Sequence, residues 1–357
     1  MRRLWLAVAV IVLSSCGPVA SSPVISVTPS HTVVVVSGPK TPCKFPIGIG
    51  RGISGFVDYP GGSFTPDPSS DLSSSGYHGS NATSVGGLGE PSYDWKARRW
   101  LPVPPRLLSP DGASYAYSEM IYPPAGPTPQ NGPGPGPIGS KVHVVTVGTV
   151  ADRVLLDSQS LWEAVAYSGH QVYLIRPCLE GCGADSGGMW TLDVSTGKIE
   201  ELQAPDAPAP FNPSVGLSQH IWAVIGPDAA WATDPLGGLA RFDFASKTVS
   251  VWFKVPGKSL RPLGLDARGF PIAEGEADYS VPGSSRGGAW VVTAPQQAVQ
   301  LAPDSTLIDD ALTDSHGTWL LSFDKLYLWG GGQLTEIATL PGQGARALAG
   351  PCQTLTA

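Results

Sequence analysis

Residues 161–203 read LWEAVAYSGHQVYLIRPCLEGCGADSGGMWTLDVSTGKIEELQ, and this stretch decides the fold class. Its short apolar runs are separated by turn-forming residues, first Gly169-His170 and later Ser195-Thr196-Gly197-Lys198. That arrangement is typical of antiparallel strands joined by tight turns. Four strands are predicted, at residues 161–168, 171–177, 188–194 and 199–203.

A helix is the alternative for the first of these segments. Ser160-Leu161-Trp162-Glu163 fits a helix capping box, which would begin a helix over residues 160–167. The segments on either side alternate with a period of two residues, as strands do. The alternation therefore favours a strand.

Similar units recur along the chain. The turn between the third and fourth strand of each unit can be placed, and successive turns are 37 to 54 residues apart. These turns lie at Asp94, Gly148, Asp193, Asp243, Thr293 and Gly330. This spacing fits one four-stranded β-propeller blade per unit. The sequence therefore predicts an all-β chain that forms a β-propeller of six four-stranded blades.

Composition favours the same fold class. Charged residues are 14% of the chain, against about 25% in an average protein. Glycine and proline are frequent, with 44 and 36 residues, and 11 Trp, 10 Tyr and 9 Phe can build a core. Many turns, few charges and many aromatic residues are typical of an all-β protein.

Two short motifs resemble known propellers. The segment SPDGASYAY, residues 109–117, resembles a turn of Tol-type and WD40-like six-bladed propellers. The segment DVSTGKIEEL, residues 193–202, resembles the outer hairpin of many bacterial surface propellers. Regular Trp-Asp dipeptides and the full kelch pattern are missing from the sequence. The resemblance implies the propeller architecture and no functional subfamily.

The ends of the predicted propeller domain, residues 43–357, are expected to meet. The first unit lacks a clear inner strand at its own start, and residues 345–352 could supply one. First and last segments would then share a blade and close the ring.

The N-terminus resembles the signal sequence of a bacterial lipoprotein. Arg2 and Arg3 precede ten residues without a polar side chain, too few for the roughly 20 that span a bilayer. Leu13-Ser14-Ser15-Cys16 resembles the lipobox, which implies removal of residues 1–15 and a lipid on Cys16. Residues 16–42 would be the lipidated N-terminus and a flexible linker. An ordinary secretory signal that contains a cysteine is the alternative.

The resemblance implies a protein outside the cytoplasm, anchored to the bacterial cell membrane by its lipid. Loss of Arg2 and Arg3 would change the net charge from −7 to −9. This negative charge argues against nucleic acid as a partner.

Four cysteines remain once Cys16 is assigned to the lipid: Cys43, Cys178, Cys182 and Cys352. An even number in an oxidising compartment indicates disulfides, although four cysteines allow three pairings. Cys178 and Cys182 are near neighbours, and Gly181 gives the backbone freedom for a small ring. Cys43 would then pair with Cys352. A metal site at these cysteines is the alternative, disfavoured because no histidine lies nearby.

Two known functional motifs are missing from the sequence: there is no HExxH and no phosphate-binding loop. No catalytic residue, metal or cofactor is predicted. The densest acidic group is Glu274, Glu276 and Asp278, and a solvated loop is its favoured interpretation.

Long insertions between second and third strands indicate a binding face. They are predicted at residues 60–91, 118–140, 176–188 and 273–287. In a propeller such loops emerge on one face, and repeat proteins often bind through it. The candidate binding residues are Tyr77, His78, Tyr122, Glu180, Asp185, Glu276, Asp278, Tyr279 and Arg286.

The predicted function is a membrane-anchored extracytoplasmic binding or assembly scaffold, whose ligand would be a protein or a carbohydrate. An extracytoplasmic hydrolase, lyase or lactonase with its site at the central channel is the alternative. Propeller enzymes of that kind collect histidines and carboxylates from several blades, which spacing along the chain does not reveal.

Overall fold

The structure is a computed structural model that describes residues 41–49, 53–71, 91–124, 136–177, 187–205, 220–278, 281, 283–341 and 346–354. Within these ranges the chain forms 25 strands and two short 3-10 turns, at Pro68–Ser70 and Pro105–Leu107. None of the described helical segments has the length and apolar character needed to cross a membrane. The signal segment, Cys16 and the linker to residue 40 lie outside the described residues, so their assignments remain predictions.

Residues 163–203 form the four-stranded sheet that the sequence predicts. Its strands are β9 (Glu163–Ser168), β10 (Gln171–Arg176), β11 (Gly187–Asp193) and β12 (Ile199–Gln203). They hydrogen-bond in chain order, with Tyr167 opposite Val172 and Leu192 opposite both Val172 and Ile199. The helix alternative is therefore wrong: the residues after the capping-box pattern pair with a neighbouring strand.

Three further sheets repeat this order. The next sheet contains β13 (Ile221–Ile225), β14 (Ala229–Thr233), β15 (Leu239–Asp243) and β16 (Thr248–Phe253). It is followed by β17 (Lys258–Leu265), β18 (Pro271–Ala277), β19 (Ala289–Ala294) and β20 (Gln297–Ala302). The last of the three contains β21 (Asp310–Asp314), β22 (Gly317–Ser322), β23 (Lys325–Gly330) and β24 (Gln333–Thr339).

Both ends of the domain share one sheet, as predicted. Its order is β25 (Arg346–Leu348), β1 (Cys43–Ile49), β2 (Gly55–Tyr59) and β3 (Phe64–Pro66). The tail strand β25 lies antiparallel to β1, with Leu348 opposite Ile47. A disulfide joins Cys43 to Cys352 beside this pairing, with their Cα atoms 5.6 Å apart. Cys178 and Cys182 lie outside the described residues.

The described strands make seven sheets, one more than the six units counted from the sequence. A two-stranded sheet contains β4 (Ser92–Asp94) and β5 (Arg99–Leu101), and a three-stranded sheet contains β6 (Ser114–Ile121), β7 (Gly139–Thr146) and β8 (Ala151–Ser158). All six predicted hairpins are present. The count missed the hairpin between β2 and β3, because residues 60–70 (PGGSFTPDPSS) are rich in turn formers and read as a loop.

The sheets pack face to face around a ring. The first strands of consecutive sheets touch: β9 contacts β13, β13 contacts β17, β17 contacts β21, and β21 contacts β25. Each apolar cluster of the core draws on two or three neighbouring sheets; one joins Trp231 on β14 to Trp290 on β19. The core therefore lies between the sheets, and the all-β propeller architecture is confirmed.

Aspartates fix the outer hairpins. Asp193 ends β11, and its Oδ1 accepts from the backbone N–H groups of Ser195 and Thr196 at 3.0 and 2.8 Å. Asp243 ends β15 and accepts from Ala245 and Ser246 in the same way. In both cases hydrogen bonds hold the pKa of the carboxyl down at about 2. This is the chemistry that makes the turns recognisable in the sequence.

Candidate functional site

The connections between strands lie on two opposite faces of the propeller. We name as the loop face the side reached by the second-to-third connections and by the links from each sheet to the next. The long connections between β6 and β7, between β10 and β11 and between β18 and β19 begin and end on this face. The opposite side, the turn face, carries the short hairpin turns. Three of the four insertions predicted from the sequence thus emerge on one face.

The fourth predicted insertion, residues 60–91, is divided by the fold. Because β25 occupies the first position of its sheet, residues 60–63 join the third strand to the fourth and lie on the turn face. The chain beyond β3 links this sheet to the next. The insertion is therefore not a single loop-face connection.

The structure brings some of the predicted binding residues together. Glu276 lies near the end of β18, Asp278 follows it, and Arg286 lies in the connection to β19. Tyr122 is exposed on the loop face too, but on the sheet of β6 to β8. The remaining candidates lie outside the described residues: Tyr77, His78, Glu180, Asp185 and Tyr279.

Glu276 and Arg286 belong to an arginine–carboxylate cluster with Arg261, Glu274 and Asp309. Glu274 is fully buried, and its two carboxylate oxygens accept from Arg286 Nε at 2.7 Å and Arg261 Nε at 3.2 Å. Arg286 also donates to Asp309 Oδ1 at 2.9 Å, and Arg261 lies 3.3 Å from Glu276 Oε1. Since Asp309 directly precedes β21, the cluster ties two neighbouring sheets together.

Burial and ion pairing have opposite effects on the pKa values in this cluster. Burial raises the pKa of Glu274, and the charges and hydrogen bonds of Arg261 and Arg286 oppose that rise only in part. Burial lowers the pKa of Arg286, but the hydrogen bond and the charge of Glu274 outweigh this effect, so the pKa of Arg286 is raised. The cluster thus consists of mutually neutralising groups that fix the connection between β18 and β19.

Lys258 fixes the same connection from the other side. It is buried at the start of β17, and its Nζ donates to the carbonyls of Ser285 and Gly287, both at 2.9 Å. Two cations, Lys258 and Arg286, therefore hold the last residues of this connection against the sheet. Sequence reasoning missed Lys258, because a lone lysine at a strand start gives no signal of where its amine is buried.

A ring of exposed apolar side chains marks the loop face. Eight of the eleven exposed large hydrophobic residues of the described chain lie there, with exposed fractions from 39% to 69%. We name this set the apolar ring: Ile53, Tyr122, Ile138, Ile221, Leu236, Val281, Leu307 and Phe323. The other three, Val154, Val249 and Val251, lie on the outer strands β8 and β16. None of these described residues lies in the turns of the opposite face.

Leu236 shows how a turn presents such a side chain. Asp234 accepts the backbone N–H of Leu236 on Oδ1 at 2.8 Å and that of Gly237 on its carbonyl at 2.8 Å. Pro235 occupies the second position, which favours this turn, and Gly237 adopts a positive φ of 82°. Leu236 therefore points outward from a rigid turn. Its sequence signal is an apolar residue inside a turn motif, which sequence reasoning overlooked.

A second polar cluster links β6, β7 and β8. His143 Nδ1 lies 3.0 Å from Asp152 Oδ1 and its Nε2 lies 3.2 Å from Glu119 Oε2, while Tyr117 stacks on the ring at 4.4 Å. Tyr117 also donates to Asp152 at 3.1 Å; burial, followed by the charge of Asp152, raises the pKa of this tyrosine. The cluster holds three strands together and occupies both nitrogens of His143.

Glu163 is a buried carboxyl at the start of the inner strand β9. Burial raises its pKa to about 7, and the charge of Arg106 opposes that rise. A carboxyl that titrates near neutral pH can exchange protons under physiological conditions. Sequence reasoning gave Glu163 only a capping role.

Among the described residues, one group of three possible metal ligands converges: Cys43, His316 and Cys352, with ligand atoms within 4.8 Å. The two sulfur atoms are bonded to each other in a disulfide. They therefore offer no thiolate to a metal, and thiolate is the form of cysteine that binds one.

Comparison with known proteins gives structural neighbours only. No protein-family model matches the chain, and no curated protein matches it in sequence. TolB from Acinetobacter baumannii superposes with a TM-score of 0.41 at 11% identity, over 87% of this chain and 66% of that one. Pyrococcus horikoshii acylaminoacyl peptidase superposes with a TM-score of 0.42 at 13% identity, over 65% of this chain and 38% of the peptidase. An oligogalacturonate lyase in complex with manganese superposes with a TM-score of 0.40 at 12% identity, over 71% of this chain and 72% of the lyase. The chain thus spans less than two thirds of the TolB and peptidase chains.

Proposed function

We propose that this protein is a docking propeller that binds another protein through its loop face. The observation that carries the proposal is the position of the apolar ring. Exposed apolar residues scattered singly are ordinary, whereas their concentration on one surface is typical of an interaction site. Here eight of the eleven in the described chain share one face.

The chemistry of the ring favours a protein partner over a carbohydrate. Six of its eight members are aliphatic, and Tyr122 alone carries a polar group on its side chain. Such side chains give apolar contact area, which forms the core of protein interfaces. A carbohydrate offers many hydroxyl groups, and this ring leaves most of them without partners.

The surroundings of the ring are pre-ordered. Leu236 is presented by the Asp234 turn, and the connection that includes Val281 is held at its far end by Lys258 and Arg286. Binding costs less conformational entropy when the contact residues are already fixed. This supports a surface built for recognition.

We further propose that docking takes place outside the cytoplasm, on a protein anchored through lipidated Cys16. The Cys43–Cys352 disulfide supports an oxidising compartment, where such bonds persist. The linker to residue 42 would give the propeller reach from the membrane. Cys16→Ser should release the protein from the membrane fraction; retention of the variant there would contradict the anchor.

Site-specific photocrosslinking in cells of the source organism tests the docking face. A photoreactive phenylalanine analogue is placed at Leu236 or Phe323 on the loop face, and at Lys198 or Lys247 on the turn face. All four positions lie in turns, so the substitutions should leave the fold intact. We expect the same discrete adduct from both loop-face positions and none from the turn-face positions.

The pattern of adducts decides the outcome. Equal labelling from both faces would contradict a docking face, and so would labelling from the turn face alone. Circular dichroism of each purified variant controls for folding.

One observation favours a second function, an extracytoplasmic hydrolase or lyase. Glu163 lies on an inner strand with a pKa of about 7, where a carboxyl can act as general acid or base. Purified protein would be screened against ester, lactone and polysaccharide substrates. If Glu163→Gln abolishes an activity of the wild-type protein without unfolding it, the result would support the enzyme function. If the variant keeps the activity, Glu163 is not the catalytic acid or base.

A further inference from the structure

Arg176 occupies an unusual position on the loop face. It ends β10, where the connection to β11 begins. Its guanidinium carbon lies 4.8 Å from the ring centre of Trp162 and 5.0 Å from that of Trp190. These two buried indoles meet edge to face, 4.9 Å apart. The cation is therefore held against two aromatic rings at the edge of the loop face.

Arg176 has no anionic partner among the described residues. It forms no ion pair or hydrogen bond with them, and its Nε is shielded from solvent without an acceptor. The side chain as a whole is only partly buried, and Arg176 ends β10 on the loop face. A guanidinium that is partly removed from water normally pairs with a carboxylate, which compensates for the lost hydration.

Arg241 provides an internal comparison. It is also held against two indoles, with its guanidinium carbon 4.9 Å from the ring centre of Trp252 and 5.8 Å from that of Trp231. Unlike Arg176, it pairs with Asp243 at 2.6 Å and Asp228 at 3.3 Å. The same cation–aromatic arrangement thus occurs once with a counter-charge and, within the part of the chain that the structure describes, once without one.

We propose that Arg176 is an anchor for an oxyanion, a carboxylate or phosphate group carried by the ligand of the loop face. The planar fork of a guanidinium matches the two oxygens of such a group, and the indoles fix the plane of the fork in advance. This inference rests on the proposed docking function and adds to it: the partner combines apolar groups with an anionic one.

Nuclear magnetic resonance tests the anchor without the partner. Protein labelled with 15N in its arginines is titrated with sodium phosphate or sodium acetate, and with sodium chloride at matched ionic strength. The Arg176 Nε–H signal is assigned by its loss in Arg176→Lys, and the Arg241 signal serves as the matched control. We expect a saturable shift of the Arg176 signal in phosphate or acetate, several-fold larger than the shift of Arg241.

The two oxyanions distinguish a phosphate group from a carboxylate as the natural ligand. A shift that chloride reproduces, or that Arg241 shows equally, would overturn the anchor. The crosslinks from Leu236 and Phe323 do not involve Arg176. A missing shift with those crosslinks intact would therefore refute only the anchor, whereas missing crosslinks would refute the docking function.

Discussion

Cys43 and Cys352 are 309 residues apart in the sequence, and a disulfide joins them. The bond lies beside the pairing of β1 with β25 and locks the strand that the tail contributes to the first sheet. Every other described sheet is built from consecutive strands. This bond and this pairing therefore help to hold the two ends of the ring together, along with the bridge between Lys44 and Gln353.

Removal of the disulfide should destabilise the protein and loosen the closure. A Cys43→Ala, Cys352→Ala double variant is expected to lose about 2–5 kcal/mol of unfolding free energy, since the unfolded chain is no longer constrained. Urea denaturation measures the loss. Hydrogen exchange should accelerate first in Arg346–Leu348 and Cys43–Ile49. Uniform acceleration over all sheets would contradict a local role in closure.

Glu274 should contribute more to stability than its neighbour Glu276. Glu274→Gln leaves Arg261 and Arg286 without the buried carboxylate between them, and we expect a loss of about 3 kcal/mol. Glu276→Gln is the matched control: its carboxylate is 42% exposed, and the loss should stay below about 1 kcal/mol. Urea denaturation of both variants gives the comparison, and equal losses would show that the cluster is not organised around Glu274.

Glu163 should make stability depend on pH. Its pKa is about 7 in the folded protein against 4.5 ordinarily, so the folded state binds the proton more tightly. The resulting stabilisation is fully present below the pKa that Glu163 has in the unfolded chain. It is lost as the pH rises through 7, and the free energy of unfolding then falls by up to about 3 kcal/mol. Unfolding free energies at pH 5 and pH 8 should show this fall, and Glu163→Gln should remove it. An unchanged pH dependence in the variant would assign the effect to other groups.

The fold was largely predictable because its signals are local. Turns such as Ser195-Thr196-Gly197-Lys198 use side chains next to them in sequence, and Asp193 makes its own hairpin visible. Closure was predictable from Cys43 and Cys352, because setting Cys16 aside left four cysteines. The seventh sheet was not predictable, because β3 has only three residues and lies inside a stretch rich in proline, glycine and serine.

The candidate site was less predictable, because its contacts cross between strands. Arg261 and Glu274 are register partners on adjacent strands, and the backbone carbonyl of Asp309, just before the next sheet, accepts from Arg261. Arg176 on β10 is held by Trp162, which directly precedes β9, and by Trp190 on β11. Such contacts depend on register and on the packing of neighbouring sheets, neither of which a single sequence reveals.

The most direct measurement compares crosslinking yield from Phe323 in two backgrounds. Leu236→Asp places a charge in the apolar ring on another sheet, whereas Val249→Asp places the same charge on an exposed valine of outer strand β16. Loss of a buried leucine contact lowers affinity about tenfold or more. We predict that Leu236→Asp strongly reduces the adduct and that Val249→Asp leaves it unchanged. Equal yields in the two backgrounds would contradict docking through the loop face.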